Sequence, residues 1–246
     1  MEKSTNYSPQ PVPLPSGFLS LPVIRGESPT SPLTRLPASP YYLEAVVTAL
    51  KKAGLLRTYY RDRLRGYRLG AKAKSALLGG WPERFTFCLT GDAETNRLKS
   101  EANRRFRLHR LAETYITMGN AGVLLYPDEK PKVFAQTGFG GETVTYPAFY
   151  SSREVKELGA DATQIRSSRF AGVLLAPTGI FVTYNSGGAL MKWRYKSELR
   201  VKTLLWNILC QQRLAQQYRV EQVHGLVLGD SMDLAYQILT STGGAK

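Results

Sequence analysis

Cysteine and histidine are scarce in this chain, with two of each among 246 residues. No CxxC pair occurs, so neither a zinc site nor a disulfide framework has the ligands it needs. Cys88 and Cys210 lie among apolar neighbours, Phe87-Cys88-Leu89 and Ile208-Leu209-Cys210, and read as buried free thiols of a reducing compartment. Long apolar runs are missing as well. No stretch approaches the ~18 consecutive apolar residues of a membrane span, and no charged-then-apolar leader opens the chain. These absences point to a cytoplasmic protein without a membrane partner. Acidic residues are the third shortage: 19 Asp+Glu stand against 33 Lys+Arg, for a net charge of +14.

The charge is concentrated. Residues 41–110 hold sixteen Lys/Arg against six Asp/Glu, a net of +10. A field of one sign gathered in one stretch attracts polyanions, and nucleic acid is the commonest of these in a cell.

Three segments follow from composition. Residues 1–24 are rich in Pro and Ser (MEKSTNYSPQPVPLPS at the start) and read as a disordered tail. Residues 25–80 form a small basic module, and residues 83–246 a larger α/β domain, with the break at Gly79–Pro82 between them. The fold class expected is therefore mixed α/β, a small basic N-terminal module followed by a larger α/β domain.

The strongest local signal is a helix over 40–53. Ser39 offers an N-cap oxygen, Pro40 suits the first helical position, and Gly54 suits the residue just past the end. Leu43, Val46, Val47 and Leu50 recur at i, i+3, i+4 and i+7, which makes one apolar face. Pro29–Leu36 reads as a short helix upstream. Downstream, Leu55–Arg61 alternates like a strand, Asp62–Arg65 reads as a turn, Gly66–Leu69 returns, and Ala71–Leu78 makes another helix. Short helix, turn, longer helix and basic hairpin is the order of a winged helix-turn-helix.

Such a module has a definite way of binding double-stranded DNA. Its longer helix enters the major groove with Tyr41, Tyr42, Ala45 and Thr48 nearest base edges, while Lys51 and Lys52 face phosphate. The hairpin carries Arg57, Arg61, Arg63, Arg65 and Arg68 interleaved with Tyr59, Tyr60 and Tyr67. Guanidiniums meet phosphate through a fork of donors or enter a minor groove, and tyrosines pack and donate. A second basic run, Arg97, Lys99, Arg104, Arg105, Arg107 and Arg110, falls on a long helix over 93–118 with Leu108, Leu111, Ala112 and Tyr115 as its apolar stripe. Its spacing distributes charge around the helix, with pairs to Glu94 and Glu101 one turn away.

Farther along, Phe85–Leu89 and Val123–Tyr126 read as strands and Tyr150–Leu158 as a short helix. Phe170–Leu175 and Ile180–Tyr184 form a hairpin through Pro177-Thr178-Gly179. Met191–Arg213 is a helix burying Trp193, Leu199, Leu205 and Trp206; a strand at Gly225–Leu228 and a helix at Met232–Leu239 complete the order. The Gly-Gly-Ala-Lys ending hints at a truncated product.

Catalytic letters are few. A metal-dependent nuclease needs an acidic residue plus Glu-x-Lys to hold magnesium and activate water. Asp128, Glu154 and Lys156 supply those letters. However, Ser151 and Glu154 make a capping box, and Asp128-Glu129-Lys130-Pro131 has the composition of a turn. His109 reads as packed beside the apolar stripe, and His224 precedes a strand without a ligand partner. Gly138–Gly141 lacks the Lys-Ser/Thr ending of a phosphate loop. No cofactor is implied, and Mg2+ enters only with the nickase alternative.

Two stretches carry a family resemblance. Ser39–Leu78, with Val46-Val47, Leu50-Lys51-Lys52, Gly54-Leu55-Leu56 and Tyr67-Arg68-Leu69, resembles the winged-helix part of replication-relaxation proteins. These occur on plasmids and integrative conjugative elements of Gram-positive bacteria. Ser168–Leu174, Phe181–Asn185 and the 191–213 helix are similar to the core of their C-terminal domain, which is related to the restriction-endonuclease fold. Some of those relatives act as relaxases or nicking enzymes in mobilisation. Here Ser168-Arg169-Phe170 and Tyr184-Asn185 stand where active members of such a fold carry acidic residues, so the second domain reads as degenerate. The resemblance implies an accessory or regulatory DNA-binding factor for replication or conjugative mobilisation of a mobile element, with other replication or transfer proteins as further partners. A metal-dependent nickase or relaxase and a transcriptional repressor are the alternatives.

Overall fold

The computed structural model describes residues 26–30, 35–90, 101–134, 143–156, 169–188, 195–211 and 214–241. The expected tail at 1–24 lies outside them, as do Arg97, Lys99, Glu94, Gly138–Gly141, Ser168 and Trp193. The fold is mixed α/β, and the chain divides into two compact units. One is drawn from residues up to 112, the other from residues beyond 112 together with Arg35–Pro37.

In the first unit, helix α1 (Pro40–Lys52) starts as its sequence dictates: the Ser39 hydroxyl accepts from Tyr42 N at 3.2 Å and Pro40 takes the first turn. Leu43, Val47 and Leu50 are its buried stripe, and Gly54, at φ +71°, closes it. Strands β2 (Leu56–Arg61) and β3 (Leu64–Leu69) pair antiparallel, with Arg61 opposite Leu64 across a two-residue turn. A third strand, β1 (Ser28–Pro29), pairs with β3 to give the order β1-β3-β2. Pro29 was expected to begin a helix. It lies instead on an edge strand, where a residue without an N–H leaves no ladder bond unmade; residues 31–34 are not described.

Helices α2 (Ala71–Gly80) and α3 (Pro82–Leu89) follow. Phe85–Leu89, expected as a strand, is helical. Pro82 occupies the first turn with Glu83 beside it, and the buried residues Phe85, Cys88 and Leu89 stand at helical spacing. The first unit thus runs past the Gly79–Pro82 break and takes in residues of helix α4 (Ala102–Asn120) as far as Ala112.

The second unit centres on a four-stranded sheet of order β4-β5-β6-β7: Ala148–Ser151, Gly172–Ala176, Gly179–Gly187 and Val223–Gly229. The first three strands are antiparallel neighbours; β7 lies parallel to β6. A parallel neighbour requires a crossover, which helix α6 (Tyr195–Gln211) supplies. Between β4 and β5 stands the short helix α5 (Ser152–Lys156), and helix α7 (Met232–Ser241) follows β7. Val173, Leu175, Ile180, Val182 and Tyr184 of the sheet pack with Val201, Leu205, Ile208 and Leu209 of α6 in one apolar core.

Several local expectations shift. Val123–Tyr126 contributes only an isolated bridge, Leu124 to Ala148. Leu199, expected inside, is 48% exposed, and Trp206 is half-buried. Cys88 is buried but Cys210 is exposed. Among the described residues, no helix is long and apolar enough to cross a membrane.

Candidate nucleic-acid interface

Strand pairing decides which hairpin side chains share a face. Arg57, Tyr59 and Arg61 lie on one face with Leu64, Gly66 and Arg68; Thr58 and Tyr60 lie on the other with Arg65 and Tyr67. Arg57, Arg61, Arg63 and Arg65 are exposed, as is Tyr60 at 68%. Arg61 also approaches Asp62 at 3.7 Å, a loose surface pair that leaves its guanidinium largely in water. Asp62 and Arg63 form the turn with φ of 52° and 60°. That conformation is the one that two-residue hairpins favour, and it suits Asp-Gly. An arginine at the second position carries a left-handed backbone that costs about 1 kcal/mol or more, so its guanidinium is held at the tip against a local preference for glycine.

Helix α1 presents its polar side next to this hairpin in sequence. Tyr41 is 85% exposed and Tyr42 41%, and Thr48 and Lys52 are exposed as well. Lys51 is half-buried, its ammonium 5.3 Å from the centre of the Tyr67 ring. Its stem therefore lies along the sheet while the charge stays near the surface.

Arg68 and Tyr59 require correction as DNA-facing residues. Arg68 is buried, and its Nε donates to Glu27 Oε2 at 2.8 Å. Its guanidinium carbon lies 3.6 Å from the Tyr59 ring centre, which leaves Tyr59 half-buried. The physical reason is Glu27, a fully buried carboxylate whose charge needs partners at the same depth. Arg105 donates to it from Nε at 3.0 Å and Nη2 at 2.6 Å, and His109 Nε2 lies 2.7 Å from Oε1. Burial alone would raise the Glu27 pKa; the hydrogen bonds from His109, Arg105 and Arg68 outweigh it and hold the carboxyl at about 2. An ionised carboxylate only accepts, so His109 Nε2 carries the proton of that bond.

Sequence reasoning missed this cluster. The sequence places Arg105 among cations distributed around the helix and makes His109 a packed histidine. Their i, i+4 spacing in register with buried Ala112 and Ile116 was the available signal. Nothing in the sequence marked Glu27, which lies 78 residues from Arg105.

The nuclease letters are accounted for otherwise. Glu154 Oε2 accepts from Ser151 N at 2.7 Å and from the Ser151 hydroxyl at 2.8 Å, while Glu154 N donates back to that hydroxyl at 3.3 Å. That is the capping box expected from Ser151 and Glu154. Its other oxygen lies 2.6 Å from the ammonium of buried Lys130, which also donates to Phe149 O at 2.8 Å. Lys156 directs its ammonium over the Phe170 ring at 5.3 Å, and Asp128 is exposed. Among the described residues, no three of His, Cys, Asp or Glu gather as a metal site.

No family model, curated protein or solved structure matches this chain. Function must therefore be argued from the side chains themselves. In the second unit these are mostly structural. Tyr150 donates to Pro131 O, and burial first, with Glu154 and Tyr218 nearby, drives its pKa far upward. Tyr218 donates to Ala176 O and is raised to about 12 by burial. Asn185 Nδ2 donates to Thr114 at 3.2 Å and its oxygen accepts from Gly187 N at 2.9 Å.

Proposed function

We propose that this chain is a double-stranded DNA-binding protein whose first unit works as a winged helix. The observation that carries the proposal is the hairpin tip: Arg61, Arg63 and Arg65 stand exposed around a turn that would take glycine on conformational grounds alone. The β2–β3 hairpin that follows helix α1 supports it, as do the exposed Tyr41, Tyr42, Thr48 and Lys52 on that helix. In this proposal α1 lies in the major groove, and Arg57, Arg61, Arg63 and Arg65 meet phosphate or the adjoining minor groove. The role is that of an accessory or regulatory factor for replication or transfer of a mobile element, in the cytoplasm, alongside other replication or transfer proteins. The αβββαβ run from α4 to β7, counting its principal elements, is what favours a nuclease-like second unit without its chemistry.

A salt titration of binding to duplex DNA tests this. Replacing Arg61, Arg63 and Arg65 with Ala should reduce the log–log salt slope by about two to three, since each phosphate contact releases ~0.9 counterion. An unchanged slope removes the hairpin from the interface. Supercoiled plasmid with Mg2+ tests the nickase alternative: relaxed circles lost in Asp128→Ala would favour an enzyme. A repressor would instead footprint a palindrome in its own promoter.

A further inference from the structure

Arg105 sits on the basic helix, yet none of its surface meets water. Its guanidinium makes two sets of contacts. Nε and Nη2 hold the Glu27 carboxylate, while Nη1 donates to the carbonyl of Arg61 and Nη2 to that of Leu64 at 3.0 Å. Arg61 and Leu64 are the paired residues that flank the Asp62–Arg63 turn. One planar fork thus spans both carbonyls that flank the tip, and a buried carboxylate fixes the fork from behind. Arg105 also lies against the Tyr59 ring, 4.7 Å from its centre, so the strand is held by stacking as well.

We infer that Arg105, fixed by Glu27, is a positioning residue that sets the pose of the hairpin tip and so presents Arg61, Arg63 and Arg65 to DNA. This rests on the DNA-binding proposal for the same hairpin. It assigns Arg105 of the basic helix α4 to orientation, and none of it to phosphate contact. A two-residue turn fixes the local geometry of the tip but leaves open where the hairpin stands relative to helix α4, which needs a restraint of its own. Two carbonyls gripped by a rigid donor supply that restraint, and a lysine at 105 keeps the charge but loses the fork.

Two measurements test the inference, one with DNA absent. In free protein, Arg105→Lys should accelerate amide exchange in the 56–69 hairpin about tenfold or more, with α1, α2 and the β4–β6 sheet unchanged. Glu27→Gln, close in shape to the native side chain, should do the same. Unchanged hairpin exchange overturns the inference, and so does acceleration spread evenly across the first unit. The second measurement is a double-mutant cycle on affinity for duplex DNA. Arg63→Ala should weaken binding about threefold to tenfold in the parent but less than about twofold in the Arg105→Lys background, because the contact is already misplaced. Equal losses in both backgrounds overturn a positioning role. A parent that binds no DNA ends the DNA-binding proposal alone, since the exchange measurement still decides whether Arg105 holds the tip.

Discussion

Gly66 packs so closely on Glu27 that a Cβ added at 66 would stand 2.5 Å from the Glu27 carboxylate. Arg68, Arg105 and His109 all bond that carboxylate, so it has little room to retreat. Gly66→Ala should therefore destabilise the first unit by about 1–3 kcal/mol, the usual range for overpacking a fixed interior. Urea unfolding followed at the hairpin would report it, and an unchanged midpoint would mean that Glu27 can move.

The same carboxylate sets a pH dependence. Its folded pKa, about 2, lies below the ordinary value of 4.5, so the folded state binds fewer protons in between. The stabilisation is complete above the ordinary value and is lost as pH falls toward 2. The stability difference between parent and Glu27→Gln should be widest near neutrality and shrink between about pH 5 and pH 2. A constant difference across that window would contradict an ionised, bonded Glu27.

Glu154 offers a contrast between structural and catalytic use. Its removal strands the ammonium of buried Lys130. Glu154→Ala should cost about 3 kcal/mol, as breaking a buried pair does, and Lys130→Met in the same chain should recover much of that loss. A catalytic glutamate commonly behaves the opposite way, its removal leaving stability unchanged or higher. Thermal unfolding of the single and double variants separates the two.

Arg63→Gly should move two properties in opposite directions. Glycine accepts the φ of +60° at no steric cost, so stability should rise by about 0.5–1 kcal/mol. Loss of the guanidinium should lower the salt slope of DNA binding by ~0.9. A variant that gains stability and keeps the parent slope would show that the tip makes no phosphate contact.

Helix α1 and the hairpin were legible in the sequence because local chemistry alone specifies them: a capping serine, Pro40, a clean apolar period, then alternation broken by an Asp-led turn. The β5–β6 hairpin and the Ser151–Glu154 box were legible for the same reason. Helix α3 was not, since Phe85–Leu89 is too short for its period to separate strand from helix, and the deciding signal lay in Pro82 shortly before it. Arg68 was misassigned because alternation says which side chains share a face but not what covers that face. Its cover comes from Glu27 and Arg105, both remote in sequence, and charge counting cannot tell a buried ion cluster from a solvated patch. The long helix failed in a similar way, because spacing that distributes charge around a helix does not say that Arg105 is the one inside.

The two-residue turn leaves the hairpin no slack, and this restricts how its reach can vary. One extra residue in each strand would lengthen the arm by about 3.3 Å but rotate everything beyond it to the opposite side. Only two residues per strand, about 7 Å of added length, would return the tip to its original aspect. The hairpin can therefore grow or shrink by such even steps alone if its distal side chains are to keep their faces.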